Sequence, residues 1–382
     1  MIWAVLLLTS VGVSSGMMQR ALLRVSAIPR PRMSLPRLTR SFGDRSVADG
    51  RAAATAPYIE DGAILLGDII TDSTADGMAI LQSRDEAQMT GKAGDLLDFG
   101  DGRQGFVVWA RPPIYFVQVM PDEATGELPL ISEGSNVRLP LLPDVDMGKV
   151  AQSLQEQQAS EQAGADGAEG AAGDAEGGQK KETIAPALQI SVGDHKFGRI
   201  TDFLDRPLDG LGPLGDADAT TRSLPVFNAE PEKGSTESLS RGLATGVMAA
   251  DVLTPLGRGQ TMLVAGPNGV GRTELALDTV QAQASARSGP NGERPVSCVW
   301  ACLRGQGKAV AEELAERGAL ATTAIIEAPA GSPPSVQFAT AAAALAVAEG
   351  VRNNGADSLV VLDDISNLST FWDDTTRVLL DQ

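Results

Sequence analysis

The stretch "TMLVAGPNGVGRTELALDTV", residues 261–280, decides how the second half of this chain is read. Its first five residues are apolar or β-branched, as in a buried strand. Its last eight begin at Thr273 and read as a helix. Between them lies "GPNGVGRT", residues 266–273, close to the phosphate-loop pattern G-x-x-x-x-G-K-[ST]. Gly266, Gly271 and Thr273 fit that pattern, and Arg272 stands where a lysine is expected. In a strand–loop–helix setting, backbone N–H groups from about Asn268 to Thr273 curl around a phosphate. Gly266, Gly269 and Gly271 let the chain turn sharply there, with Pro267 and Val270 completing the loop. The Thr273 hydroxyl is expected to bind Mg²⁺, as the Ser/Thr of this motif does. The competing reading is a glycine-rich turn with no ligand.

A second element supports the first. "SLVVLDD", residues 358–364, is an apolar strand that ends in Asp363 and Asp364. An acid at the end of such a strand holds Mg²⁺, usually through water. Asp363 is the expected metal residue, and Asp364 is expected to cap or to orient. Two strand–helix units separate this strand from the loop: "PVSCVWACL" with "GKAVAEELAERGA", then "TTAIIEA" with "PPSVQFATAAAALAVAEGVRNNG". Strands alternating with helices imply an α/β fold, with a parallel sheet covered on both faces. Arg272 keeps the positive charge, but its guanidinium is wider and forked. Phosphate binding is compatible with it. The tight position beside a transferring phosphate is not, so hydrolysis is expected to suffer more than binding.

The rest of the chain divides by composition. Residues 58–142 hold short apolar or alternating runs ("AILLGDII", "GMAILQS", "GFVVWA", "IYFVQVM") parted by Gly, Asp and Pro. These read as strands of a small β-barrel or sandwich, closed by "EGSNVRLPLLP". Residues 143–182 are rich in Ala, Gly and acids and read as a solvated linker or insertion, with a short helix over "DMGKVAQSLQEQQ". Residues 1–57 read as a disordered targeting sequence. "IWAVLLLTSVGV" resembles a signal-peptide core, and Arg20, Arg24, Arg30, Arg32, Arg37 and Arg40 precede the first acid, Asp44. Either translation in effect starts near Met17 and gives a mitochondrial presequence, or both pieces act in series toward a plastid.

The 382 residues carry a net charge of −18. Such a surface disfavours nucleic acid as a partner. Cys298 and Cys302 make neither a disulfide scaffold nor a zinc site, and read as buried reduced thiols on one face of a strand. His195, the single histidine, reads as a surface residue.

With these residues in view, "TGVMAADVLTPLGRGQTMLVAGPNGVGRTELALDTV" resembles the alpha and beta subunits of rotary F-type ATP synthases. "GRITDFLDRPLDGLGPLG" looks like that family's approach to its nucleotide domain, and "GVRNNGADSLVVLDDIS" like its metal-binding strand with the preceding turn. The resemblance implies an N-terminal β-barrel over 58–142 and a P-loop nucleotide-binding domain over 183–382. It also implies ATP or ADP with Mg²⁺ as cofactors. Beta subunits carry a catalytic glutamate just after the strand that follows the loop helix. Here that region reads "ACLRGQGKAV", with no acid before Glu312, and Gln306 is the candidate for the glutamine of alpha subunits. "ELALDTV", "GRGQ" and "LDDIS" also look alpha-like. Without a carboxylate to activate water, no catalytic residue is expected.

The implied role is a non-catalytic nucleotide site beside beta-type subunits in a hetero-hexameric ring around a central stalk, with no membrane span of its own. The family's arginine finger and C-terminal helical domain are not found before Gln382. Two expectations follow: an incomplete version of a working alpha-type subunit, or a divergent paralogue that kept only the scaffold.

Overall fold

The computed structural model describes residues 3–9, most of 59–140, 186–286 apart from 216–220 and 229–239, and 296–371 apart from 367 and 370. The expected linker over 143–182, its short helix, residues 10–57 and the end after 371 lie outside the described residues.

The first unit is a closed barrel. Its strands are β3 (Ala63–Thr71), β4 (Met78–Ser83), β5 (Leu96–Asp98), β6 (Gln104–Arg111), β7 (Ile114–Val119) and β8 (Asn136–Pro140). They pair in the order β3-β4-β7-β6-β5-β8, and β8 pairs again with β3 to complete the ring. A two-residue strand, β2 (Ile59–Glu60), attaches to β3. Every pairing is antiparallel, and Ile64–Leu139 and Leu81–Tyr115 lie opposite each other. Alternation explains the interior: Ile64, Leu66, Ile69, Leu81, Val107, Val117 and Val137 point inward and are buried. The sequence reading is met here, since "EGSNVRLPLLP" supplies the closing strand. It overlooked β5, whose three residues are too few to show a period.

The second unit carries strands β9 (Gln189–Val192), β10 (Ile200–Thr201), β11 (Arg222–Pro225), β12 (Gly242–Leu243), β13 (Leu256–Gly257), β14 (Thr261–Gly266), β15 (Ser297–Cys302), β16 (Thr323–Glu327) and β17 (Ser358–Asp363). Its helices are α1 (Met248–Leu253), α2 (Arg272–Ser285), α3 (Gly307–Glu316) and α4 (Pro334–Asn353). β10, β16, β15 and β17 run parallel in that spatial order. β9 pairs with β11, and β12 with β13, as small antiparallel ladders.

Strand alternation sends the sheet's side chains to two cores. Cys298, Trp300, Cys302, Leu359 and Val361 meet Leu277 and Val280 of α2 and Leu314 of α3. Val299, Ala301, Ile326, Val360 and Leu362 meet α4 on the other face. α4 is buried on nearly all sides, as a helix apolar all round must be. The outward-facing Phe106 and Val108 of the barrel join that same core, so α4 lies between sheet and barrel. Gly350 is required there, because a Cβ would sit 2.6 Å from Val192 Cβ. The helix stops as its sequence implies, with Gly355 at φ 78°.

One strand differs from expectation. β1 (Trp3–Thr9) lies between β14 and β17 and runs antiparallel to both. The sheet order is β10-β16-β15-β17-β1-β14, so the sheet is mixed rather than purely parallel. These seven residues, read in sequence as part of a disordered leader, are a sheet strand. Their apolar β-prone run fits either use, and only the pairing partners distinguish them.

The thiols agree with the sequence reading: both are buried and free, and burial pushes the Cys298 thiol up to about 12. His195 does not sit plainly at the surface. It is half-buried, with its Nε2 at 2.9 Å from the Ser191 hydroxyl and Nδ1 at 3.4 Å from that of Thr221. No described helix is long and apolar enough to cross a membrane.

Candidate phosphate and metal site

β14 ends at Gly266, and the loop 267–271 leads directly into α2. Gly269 and Gly271 adopt left-handed conformations, φ 80° and 85°. Gly271 is the N-cap of α2, and no side chain caps that end. The first N–H groups of a 14-residue helix are therefore uncapped by side chains at an exposed loop. Pro267, Asn268, Gly269, Val270 and Gly271 are all exposed. At Gly266 a Cβ would meet Val270 Cγ2 at 3.0 Å, so the loop folds back over that position. Thr273 is exposed in the first helical turn.

Arg272 leans along this loop. Its Nη2 donates to Asn268 Oδ1 at 3.3 Å. Its charge is also felt at Asp363, the last residue of β17. Burial, reinforced by the neighbouring Asp364, pushes the Asp363 carboxyl up to about 6, against the pull of Arg272. The structure thus brings Arg272 and Asp363 into one electrostatic site, as their motifs imply. Asp364 turns away into other work. It is buried at φ 60°, and its Oδ1 accepts from the Ser366 N–H at 3.4 Å. Arg304 lies 2.7 Å from its Oδ2, an ion pair without hydrogen-bond geometry. Capping and orienting, the roles expected for Asp364, match these contacts.

Gln306 is exposed and is the N-cap residue of α3, just after β15. No side-chain bond fixes it to that helix end. The capping is done instead by Glu327, at the end of β16, whose Oε1 accepts the Gly307 N–H at 3.0 Å. Glu327 and Asp363 flank Cys302 on the neighbouring strands, and both carboxylates raise its thiol further. Sequence reasoning missed Glu327 and Arg304. Glu327 had a signal, since side chains at the carboxyl ends of parallel strands line the crevice where ligands bind. Arg304 had none, because its partner is 60 residues away in sequence.

The arrangement fits a nucleotide with Mg²⁺. Uncapped helix N–H groups and Arg272 face the place for phosphate. A half-buried carboxylate that resists ionisation gains most from a nearby cation. Among the described residues no three His, Cys, Asp or Glu side chains gather as a metal cage. Mg²⁺ at such a site is held by one or two protein oxygens with phosphate and water.

Residues 246–373 match the ATP synthase alpha/beta family, nucleotide-binding domain. Among curated proteins the chain is 36% identical over 201 residues to the ATP synthase subunit alpha of a Parafrankia species, covering 51% of this chain and 35% of that protein. It is 32% identical over 193 residues to the same subunit of Phocaeicola vulgatus, with 50% and 35% covered. For Marinobacter nauticus the identity is 32% over 201 residues, with 51% and 37% covered. The matched part spans about a third of the length of these relatives. A glycine-turned phosphate loop, an acid-ended strand two places away in the sheet and this similarity concur: residues 246–373 are similar to the nucleotide-binding domain of the ATP synthase alpha/beta family, and these curated relatives are alpha subunits.

Proposed function

We propose that this chain binds ATP or ADP with Mg²⁺ without turning it over, as an alpha-type subunit of an organellar proton-translocating ATP synthase. Its partners are beta-type subunits alternating with it in a hetero-hexameric ring about the central stalk, and its site supports ATP synthesis at its neighbours. The observation that carries the reading is the joint placement of the uncapped loop helix, Arg272 and Asp363. The loop N–H groups from Gly266 to Thr273 hold the phosphates, with Arg272 adding charge. Thr273 and Asp363 hold the Mg²⁺, and the ion supplies neutralisation of the phosphate oxygens. Gln306, exposed at the turn after β15, is an amide that can orient water but cannot take its proton. Glu327, at the end of the neighbouring strand β16, is occupied with the Gly307 N–H. The arginine-rich leader supports a mitochondrial address, and its apolar start keeps a plastid address as the second choice.

The test is calorimetric titration of the full chain with Mg-ATP, together with a phosphate-release assay. Micromolar binding with no turnover is the expected result. Arg272→Lys is expected to tighten binding by up to about tenfold and to leave hydrolysis negligible, because no base is created. Rapid turnover in that variant would refute the missing-base argument. One observation favours a second reading. Arg272 is already engaged by Asn268, so the loop could be closed on itself. The chain would then be an alpha-like scaffold with little or no nucleotide affinity, and absence of binding in the titration would select it.

A further inference from the structure

Among the described residues, Asp205 and Asp364 are the two that hold a positive φ without being glycine, at 66° and 60°. The left-handed region strains a side chain, and it persists where the surroundings enforce it. Each of these carboxylates carries a cation: Lys196 on Asp205, and Arg304 on Asp364. Asp364 directly follows Asp363, the last residue of β17.

The chain beyond this turn is anchored. Ile365, Leu368 and Phe371 are buried in the core around α4, and Phe371 stacks on Phe338 with ring centroids 5.3 Å apart. Arg304 also leaves from a fixed place. Leu303 before it is buried in the same core. Gly305 after it lies at φ 72°, where a Cβ would sit 2.5 Å from the Ala330 nitrogen. The guanidinium thus reaches from the turn after β15 to the turn after β17, with Nη1 2.7 Å from Asp364 Oδ2. Without that cation the buried Asp364 carboxylate would be left uncompensated, and leaving the left-handed conformation would relieve it. The packed residues after the turn cannot follow such a rotation. The movement would fall on Asp363, which is half-buried at the strand end.

We propose that Arg304 is a positioning residue for the Mg²⁺ site: its ion pair with Asp364 holds the left-handed turn, and the turn aims the Asp363 carboxylate. In this role Arg304 touches neither metal nor phosphate. The inference rests on the nucleotide reading for the identity of the ion, and on the strained turn for the mechanism.

The experiment compares the full chain with Arg304→Ala, Arg304→Ala/Asp364→Gly and Arg304→Ala/Asp364→Ala. Both double variants remove the buried carboxylate, but only glycine takes φ near 60° without strain. ATP is titrated with Mg²⁺ and again with EDTA, and the ratio of the two affinities is the share due to the metal. Arg304→Ala is expected to lower that ratio about tenfold, the effect of losing a group that orients a metal ligand. The affinity in EDTA is expected to stay the same. The glycine double variant is expected to recover most of the loss, and the alanine double variant is not. An unchanged ratio in Arg304→Ala would overturn the proposal. So would a glycine double variant as weak as the single one, which would make Arg304 a direct phosphate contact. A second readout needs no ligand. The urea midpoint is expected to fall in Arg304→Ala and to be higher with glycine than with alanine at 364. Equal midpoints for the two double variants would show an unstrained turn and overturn the proposal as well. If the full chain binds no ATP under either condition, the proposed function fails, and the urea midpoints alone decide whether Arg304 holds the turn.

Discussion

The two sheets of this protein solve the same backbone problem in opposite ways. In the barrel each strand from β3 to β8 has a neighbour on both sides, because β8 returns to β3. Its weakest point is β5, where Leu96 N–H donates to the Pro186 carbonyl of a segment outside the ring. The nucleotide-domain sheet is open. One edge is the two-residue β10, and the other is β14, the strand that bears the phosphate loop. The closed sheet is built for permanence. The open one carries its phosphate-loop motif on an edge strand, where the loop is exposed.

The sharpest way to break this comparison is Trp300→Ala. Trp300 is fully buried in the core shared by β15, α2 and α3. Its loss is expected to cost about 3–5 kcal/mol. Hydrogen exchange should accelerate at the amides of 297–302 and leave those of 114–119 protected. Equal loss in both would show that the barrel has no stability of its own. Next comes Gly67→Ala in β3, where a Cβ would lie 2.1 Å from the Gln82 carbonyl oxygen. Backbone cannot yield as a side-chain tip can, so about 2–3 kcal/mol is expected in a urea titration. The loss should appear in the barrel first.

Asp363→Asn tests the open sheet from its electrostatic side. The Asp363 carboxyl is raised in the folded protein to about 6 from an ordinary 3.8. The folded state therefore holds more protons than the unfolded one between about pH 4 and 6, and stability falls as pH rises through that window. Above pH 6 the ionised carboxylate is a net cost, about 1–2 kcal/mol after allowance for its partial exposure. The neutral variant should be more stable than the parent at pH 7.5, and the gap should close below about pH 4. Urea titrations at the two pH values measure it, and a gap of the opposite sign would contradict the assigned burial. Mg²⁺-dependent nucleotide affinity should weaken in the same variant.

The smallest effect belongs to Arg317→Ala. Arg317 bridges Glu313 at 2.7 Å, Asp278 at 2.6 Å and Glu274 at 2.7 Å, tying α3 to α2. Its acidic partners are exposed, so about 1 kcal/mol is expected, shrinking in high salt.

Much of this architecture was legible in the sequence, for identifiable reasons. β14, α2, β15, α3, β16, α4 and β17 each carry a long enough apolar pattern, and they follow one another at connection lengths that admit only a layered α/β arrangement. The phosphate loop declares itself through glycines that the backbone needs at positive φ. What was hidden depends on partners far apart in sequence. Trp3–Thr9 has the same apolar text whether it is a leader or a strand, and only β14 and β17 give it a place. Glu327 and Arg304 are single charged residues without a motif. Their roles come from Gly307 and Asp364, which the fold carries to them. β5 was too short to register any pattern at all.

The position of α4 has a mechanical consequence. Its alanines and glycine let the sheet on one side and β9 on the other approach closely, with Phe338 stacked between Phe227 and Phe371 as the main bulky side chain. At its first turn, Ser335 hydrogen-bonds Gln118 of the barrel strand β7. A helix packed this way behaves as a stiff shared wall and not as a cushion. A push on the carboxyl ends of β16 and β17, beside the candidate phosphate site, would be handed to the barrel with little damping, so load on one compartment becomes posture in the other.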